Sequence, residues 1–180
     1  TPNGHAAGFG DAPAVPLLGG LYLLSRHCRR REVTWWLDTY AFHRDVSTTG
    51  FSGAGLALLF RPERARTPAR PDLKTVKAFR SIGWAALADA WPRPGLHAAV
   101  KAGDLSANHS HRDMNAVQLQ VDGEMLLAEP GAQREPLDGI VVPREAAAQA
   151  HNTVVVAERD HHIDAQGAIV DARSGPTFRY

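Results

Sequence analysis

A single cysteine, Cys28, excludes any disulfide within the chain and leaves its redox compartment open. No apolar run approaches the roughly 20 residues that a bilayer-spanning helix needs. Neither sign of charge is in excess. The 20 Lys and Arg against 19 Asp and Glu give a net charge of +1, so bulk electrostatics do not call for a nucleic-acid partner. The opening stretch "TPNGHAAGFG" lacks an initiator Met, a basic n-region and an apolar h-region, which predicts a removed leader or a piece of a longer polypeptide. What is present is ordinary for a soluble globular protein: 44% apolar and 22% charged residues over 180 positions, enough for one domain or two small ones.

The pattern changes along the chain. Residues 1–16 are rich in Gly, Pro and Ala and read as loop. In "VPLLGGLYLLSRHCRRR" the residues Leu17, Leu18, Leu21, Leu24 and Cys28 recur at helical spacing, and the basic end complements a helix C-terminal dipole. "EVTWWLDTYAF" at 32–42 reads as a second amphipathic helix, and "TTGFSGAGLALLF" mixes glycines with an apolar run. The Pro-rich, charged stretch "RPERARTPARPDLKT" at 61–75 reads as a surface linker. Beyond it the period becomes strand-like. "KAFRSIGWAALADAW", "LHAAVKAG" and "NAVQLQVDGEMLLAE" follow, the last turning at Asp122-Gly123, a strong hairpin signal. "NTVVVAE" at 152–158 and "GAIVDAR" at 167–173 are expected to add two further strands. The expectation is helices over 1–70 and an antiparallel sheet over 71–180.

The chemistry concentrates in "NHSHRDMNAVQLQVDGEMLLAEPG", residues 108–131. Two imidazoles at i and i+2 on extended backbone project to one face, which suits a metal or a proton-transfer group beside one. Glu129 ends the partner strand of the hairpin, and His151 opens the valine-rich stretch. Strand ends gather at a sheet rim, so His111, Glu129 and His151 are expected to converge there. Two imidazoles and a carboxylate form a zinc ligand set that leaves one position for water. Asp113, Asp160, His161 and His162 are candidates for contacts behind those ligands. The same residues also read as solvated strand ends and polar turns, "DHH" at 160–162 above all. The residues alone leave both readings open.

The stretch 108–131 followed by "HNTVVV" resembles the heparinase II/III-like polysaccharide lyases, which include oligoalginate lyases. "FRSIGWAALADAW" and "VKAGD" resemble the strands that precede the histidine pair in that family, and "GHAAGFGDAPAVPLLGGLYLLSR" the end of its helical toroid. The resemblance implies an α+β chain: the last helices of an (α/α) toroid followed by an antiparallel β-sandwich that this chain does not complete. It implies that His109 stands beside the catalytic centre, and that His111, Glu129 and His151 hold zinc in a mainly structural role. The family usually has Asp where this chain has Glu129. Asn108 matches the motif's leading Asn, which shapes the loop or touches substrate, and Arg112 is placed to meet a polyanionic sugar. Arg134 reads as a solvated arginine.

The activity so implied is beta-elimination in an acidic, uronate-containing polysaccharide such as alginate or a glycosaminoglycan, in a periplasmic or secreted setting. The proton alpha to the sugar carboxylate is removed and the neighbouring oxygen is expelled, so the site must neutralise a carboxylate and supply a base and an acid. Two features depart from the family. Its catalytic Tyr and His motifs in the toroid lie upstream of this chain, since Tyr22 and Tyr40 read as packing residues. The loop Gly131 to Ala150 holds no tyrosine. A non-catalytic, glycan-binding remnant that keeps a metal site for stability is the alternative from another class. A cupin-like metalloenzyme is disfavoured, because Arg112-Asp113-Met114-Asn115 stands where a cupin expects a Glu.

Overall fold

A computed structural model of the chain describes residues 1–2, 4, 6–12, 18–41, 54–61, 72–131 and 144–180. The chain divides into two compact units, one of residues 1–6 and 15–73 and the other of residues 7–14 and 74–180.

The first unit is helical. Helix α1 (Leu18–His27) ends in Arg26 and His27, two basic groups at the negative end of its dipole. Helix α2 (Arg31–Trp36) runs into a π-turn over Leu37–Ala41, and α3 is Ala54–Phe60. Leu18, Tyr22, Leu37 and Ala57 form the core, flanked by Leu21, Val33, Trp36 and Phe60. The inward stripe of α1 is Leu18, Tyr22 and Ser25, spaced i, i+4, i+7. Leu24 and Cys28, expected on that stripe, are exposed, because the stripe that meets Leu37 and Ala57 is rotated from the all-leucine one. Leu17 lies outside the described residues.

The second unit carries one five-stranded antiparallel sheet among the described residues, in the order of the chain: β1 (Val76–Phe79), β2 (Trp84–Ala88), β3 (Leu96–Lys101), β4 (Ala116–Val121) and β5 (Glu124–Leu127). The fold is therefore α+β. Asp122 and Gly123, with φ of 47° and 89°, close the β4–β5 hairpin as the Asp-Gly pair predicts. The register sets Trp84, Lys101 and Ala116 side by side, and likewise His97 and Gln120. One face of the sheet thus buries Lys101, His97, Gln118 and Gln120 beside Ala99 and Ala116. Burial pushes the His97 imidazole down to about 4, which keeps it neutral at physiological pH.

Residues 7–12 belong with the sheet. Phe9 packs on Ala99 and Ala116 and meets Trp84 edge-to-face at 5.3 Å. The segment is a strap lying on the polar face.

Two expected strands do not form. Over 152–158 the only pairing among the described residues is a single bridge between Val156 and Arg159, and Val154 and Val156 are each 71% exposed. Over 167–173 there is no strand, only a nearby bridge between Ser174 and Arg179. Valine favours strands by packing on a pleated surface, and these valines have no such surface beside them.

The β1–β2 turn crosses the start of the β3–β4 loop closely enough to need glycine on both sides. Gly83 has φ +65°, and a Cβ there would lie 2.4 Å from the Gly103 Cα. Gly83→Ala combines that backbone clash with left-handed strain and is expected to cost about 1–3 kcal/mol or more. Thermal unfolding of the variant checks this. An unchanged midpoint would mean that the crossing is looser than described.

Candidate metal centre and the histidine loop

The loop between β3 and β4, residues 102–115, carries the histidine pair. It is tied at both ends and in its middle. Leu105 is fully buried and its N–H donates to the Ala165 carbonyl at 3.0 Å, while Asp104 Oδ1 accepts from the Ser106 N–H at 2.8 Å and its hydroxyl at 2.7 Å. Lys101 Nζ donates to Asp113 Oδ1 at 2.5 Å and to Ser110 Oγ at 3.2 Å, joining the end of β3 to the end of the loop. Asp113 Oδ2 accepts the Gly10 N–H at 2.9 Å, which brings in the strap.

His109 and His111 do not share a face. His109 has φ 60°, so the chain turns there and is not extended, and β4 begins only at Ala116. A left-handed non-glycine residue reverses the alternation on which the i, i+2 argument depends. The two residues that go inward together are instead His111 and Asp113, with 2% and 0% exposure.

His109 points outward, its side chain 70% exposed, with Nδ1 3.0 Å from Asp11 Oδ2. The Asp11 N–H also donates to the His109 carbonyl at 2.9 Å, and Gly10, with φ +60°, packs its backbone where a Cβ would lie 2.7 Å from that carbonyl. Asp11 is a site residue that the sequence reading missed. Nothing in "GFGDA" marks it, because its partner lies 98 positions away.

Behind the loop lie the metal-ligand types. Asp113, Glu129 and His151 have ligand atoms all within 4.8 Å of one another, and the His111 ring stands 5.2 Å from that of His151. The three residues expected to converge, His111, Glu129 and His151, thus lie together with Asp113. Glu129 is pinned by the residues after the second histidine. Its Oε2 contacts His151 Nδ1, and its Oε1 accepts the Asn152 N–H at 3.0 Å and the Asn152 side-chain amide at 3.1 Å. Glycine lets the strap pass here too, since a Cβ on Gly8 would lie 3.3 Å from the Glu129 carbonyl oxygen. His151 follows a 3₁₀ turn over Ala148–Ala150 and opens no strand, a correction to its expected place.

These residues fit a bound cation. His151 Nε2 is buried and has no hydrogen-bond partner among the described residues. Such a nitrogen is costly to leave bare, and a metal would satisfy it. Burial, then the neighbouring His151, lower the pKa of His111, favouring the neutral imidazole that metals require. Asp113 already has one oxygen on Lys101 and the other on Gly10, which leaves it supporting the site from behind.

The outer candidates divide. His161 Nδ1 accepts the Met114 N–H at 3.2 Å and its Nε2–H donates to the Val154 carbonyl at 2.9 Å, bracing the loop next to Asp113. Asp160 accepts the Ala148 N–H at 2.7 Å, ahead of His151. His162 is exposed beside Asp164 and braces nothing at the site. Arg112 is half-buried, with a buried Nη1 that has no partner among the described residues. Asn108 is exposed at the rim of a cleft shared with His109. Arg134 lies outside the described residues. Tyr22 is buried and donates to Asp38 Oδ1 at 2.8 Å, and burial, then that bond, raise its pKa, so it is a packing residue.

The comparisons agree with this architecture. A heparinase III structure matches with a TM-score of 0.61 at 19% identity, covering 88% of this chain and 22% of that one. The heparan sulfate lyase HepC from Pedobacter heparinus matches with a TM-score of 0.62 at 12% identity, covering 89% of this chain. At such identities the likeness is one of fold. The chain spans 22% of the length of each. No curated protein matches the sequence. The sequence model of one family, described as heparinase II/III-like, C-terminal, matches residues 71–179, more than half of the chain and all of the histidine loop and its metal-ligand residues. The chain belongs to the heparinase II/III-like C-terminal family.

Proposed function

We propose that this chain is the sheet-side part of a polysaccharide lyase that cleaves an acidic, uronate-containing polysaccharide by beta-elimination. One observation carries the reading: His109 is an exposed imidazole held through Nδ1 by Asp11 at the rim of a cleft of about 710 Å³, two residues along the chain from His111, whose buried ring stands beside His151. With Nδ1–H donated to Asp11, Nε2 is left as the basic nitrogen. His109 Nε2 takes the proton alpha to the sugar carboxylate. The electron pair forms a carbon–carbon double bond as the glycosidic oxygen leaves, and that oxygen requires a proton from a second group. Among the described residues no tyrosine stands in the cleft, which fits a proton donor elsewhere in a longer polypeptide. Asn108 lines the cleft, where it can meet substrate, whereas Arg112, the other substrate contact the resemblance implied, is half-buried and does not line it.

His111, Glu129 and His151 would hold a zinc ion, whose chemistry there is to join three chain segments and to polarise a bound oxygen. Glu129 already contacts His151 and Asn152, which supports its reading as the acidic ligand. Location in the periplasm or outside the cell goes with this reading. No helix among the described residues is long and apolar enough to cross a membrane.

Elemental analysis of the purified chain tests the metal assignment. About one zinc per chain is expected, lost in His111→Ala and in His151→Ala. Absence of metal from the unsubstituted chain would overturn it. The lyase assignment is tested by the new ultraviolet absorbance of an unsaturated uronate when the longer polypeptide is given acidic polysaccharides. Binding without that absorbance would favour a non-catalytic glycan-binding module.

A further inference from the structure

The cleft beneath His109 is built entirely from the sheet unit. Asp11, Asn108 and His109 form one wall, and the β1–β2 turn with Arg80 and Trp84 forms the other, with Lys101 also lining the space. The Gly83–Gly103 crossing fixes how near the turn with Arg80 stands to the histidine loop.

The charges lining this space are mostly answered. Lys101 is paired with Asp113, and Asp11 faces His109. Asp104, at the rim, has its carboxylate occupied by the Ser106 N–H and hydroxyl. Arg80 differs. Its Nη1 donates to the carbonyls of Ile169 and Val170, the latter at 2.9 Å, and no carboxylate lies within ion-pair reach of it among the described residues. Neutral carbonyls hold the guanidinium in place without cancelling its charge, and they leave Nη2 and Nε to donate elsewhere. A pre-positioned guanidinium with spare parallel donors is a receptor for a planar or tetrahedral anion. Lining the same cleft as Arg80, Trp84 offers a half-buried aromatic body.

We infer that Arg80 is a specificity-determining residue that binds the anionic substituent, carboxylate or sulfate, of a sugar unit lying in this cleft against His109. The inference deepens the lyase reading and rests on it for the direction of the chain of sugars. It assigns to the β1–β2 turn the task of selecting acidic sugars over neutral ones.

The test is a calorimetric titration of the 180-residue chain with three tetrasaccharides: an unsulfated oligouronate, a heparan-type sulfated one and a neutral glucan. At least one acidic probe is expected to bind and the neutral one not. Arg80→Gln should weaken acidic binding roughly tenfold or more, and Arg80→Lys should restore part of it. Because Arg80 also ties down Ile169 and Val170, thermal unfolding is measured for each variant. If Arg80→Gln does not fold, Arg80→Lys, which keeps the charge but loses the fork, must show weakened binding by itself. The preferred acidic probe distinguishes carboxylate from sulfate. Equal affinity for the neutral glucan, no binding of either acidic probe, or unchanged affinity in a folded Arg80 variant would each overturn the inference. Acidic binding lost in Arg80→Gln, with no unsaturated product from the longer polypeptide, would remove the lyase reading and leave this one standing.

Discussion

Replacing Lys101 with methionine is expected to destabilise the sheet unit by about 3–5 kcal/mol, the usual cost of removing one partner from a buried ion pair. Lys101 and Asp113 have side chains 6% and 0% exposed, and their bond spans the loop that carries the histidines. Methionine keeps most of the stem volume, so the loss reports charge and not packing. What remains is a buried Asp113 carboxylate supported by the Gly10 N–H alone. At about 2–4 °C per kcal/mol for a chain of this size, the unfolding midpoint should fall by roughly 6–20 °C. The measurement is made with chelator present, so that no cation takes the ammonium's place beside Asp113. The double variant Lys101→Met, Asp113→Asn should recover part of the loss, since it removes the stranded charge along with its partner. A midpoint within a degree of the unsubstituted chain would show that the pair is not buried as described.

The second large effect concerns activity. In the longer polypeptide, His109→Ala is expected to lower kcat by about 10²–10⁴-fold, the usual contribution of a positioned general base. The same change should leave thermal unfolding almost untouched, because the side chain is 70% exposed and its bond to Asp11 lies at the surface. That combination separates His109 from His111. His111 is 2% exposed, so removing it should cost both metal and stability. If His109→Ala retains full activity, the base lies elsewhere and the cleft reading fails with it.

Much of this protein could be read from its residues. The change from helical to strand period is a local property of the pattern, and the Asp122-Gly123 turn follows from the positive φ that a tight hairpin demands. The residue types of His111, Glu129 and His151 pointed to one cluster, and the structure does bring them near one another, but by way of a loop and a 3₁₀ turn and not by the expected strand end at His151. Composition and β-propensity misled where they stood alone. "NTVVVAE" has the residues of a strand, but a strand needs an adjoining edge, and propensity does not say whether one is present.

What the tertiary structure alone decided has a common physical reason: it depends on groups far apart in the chain. Left-handed backbone at His109 sends the two histidines to different surroundings, one exposed beside Asp11 and one buried beside His151. Residues 7–12, Gly- and Ala-rich and without visible chemistry, become the strap that orients His109 through Asp11 and supports Asp113 through Gly10. Arg80 gains its place in the cleft only because Gly83 and Gly103 let two loops touch. The sequence by itself determined the residue types, the hairpin and the sheet rim on which a site can be built. The approach of distant backbone to that rim, set by packing and hydrogen bonds across about a hundred residues, decided which of those side chains face the cleft and which face inward.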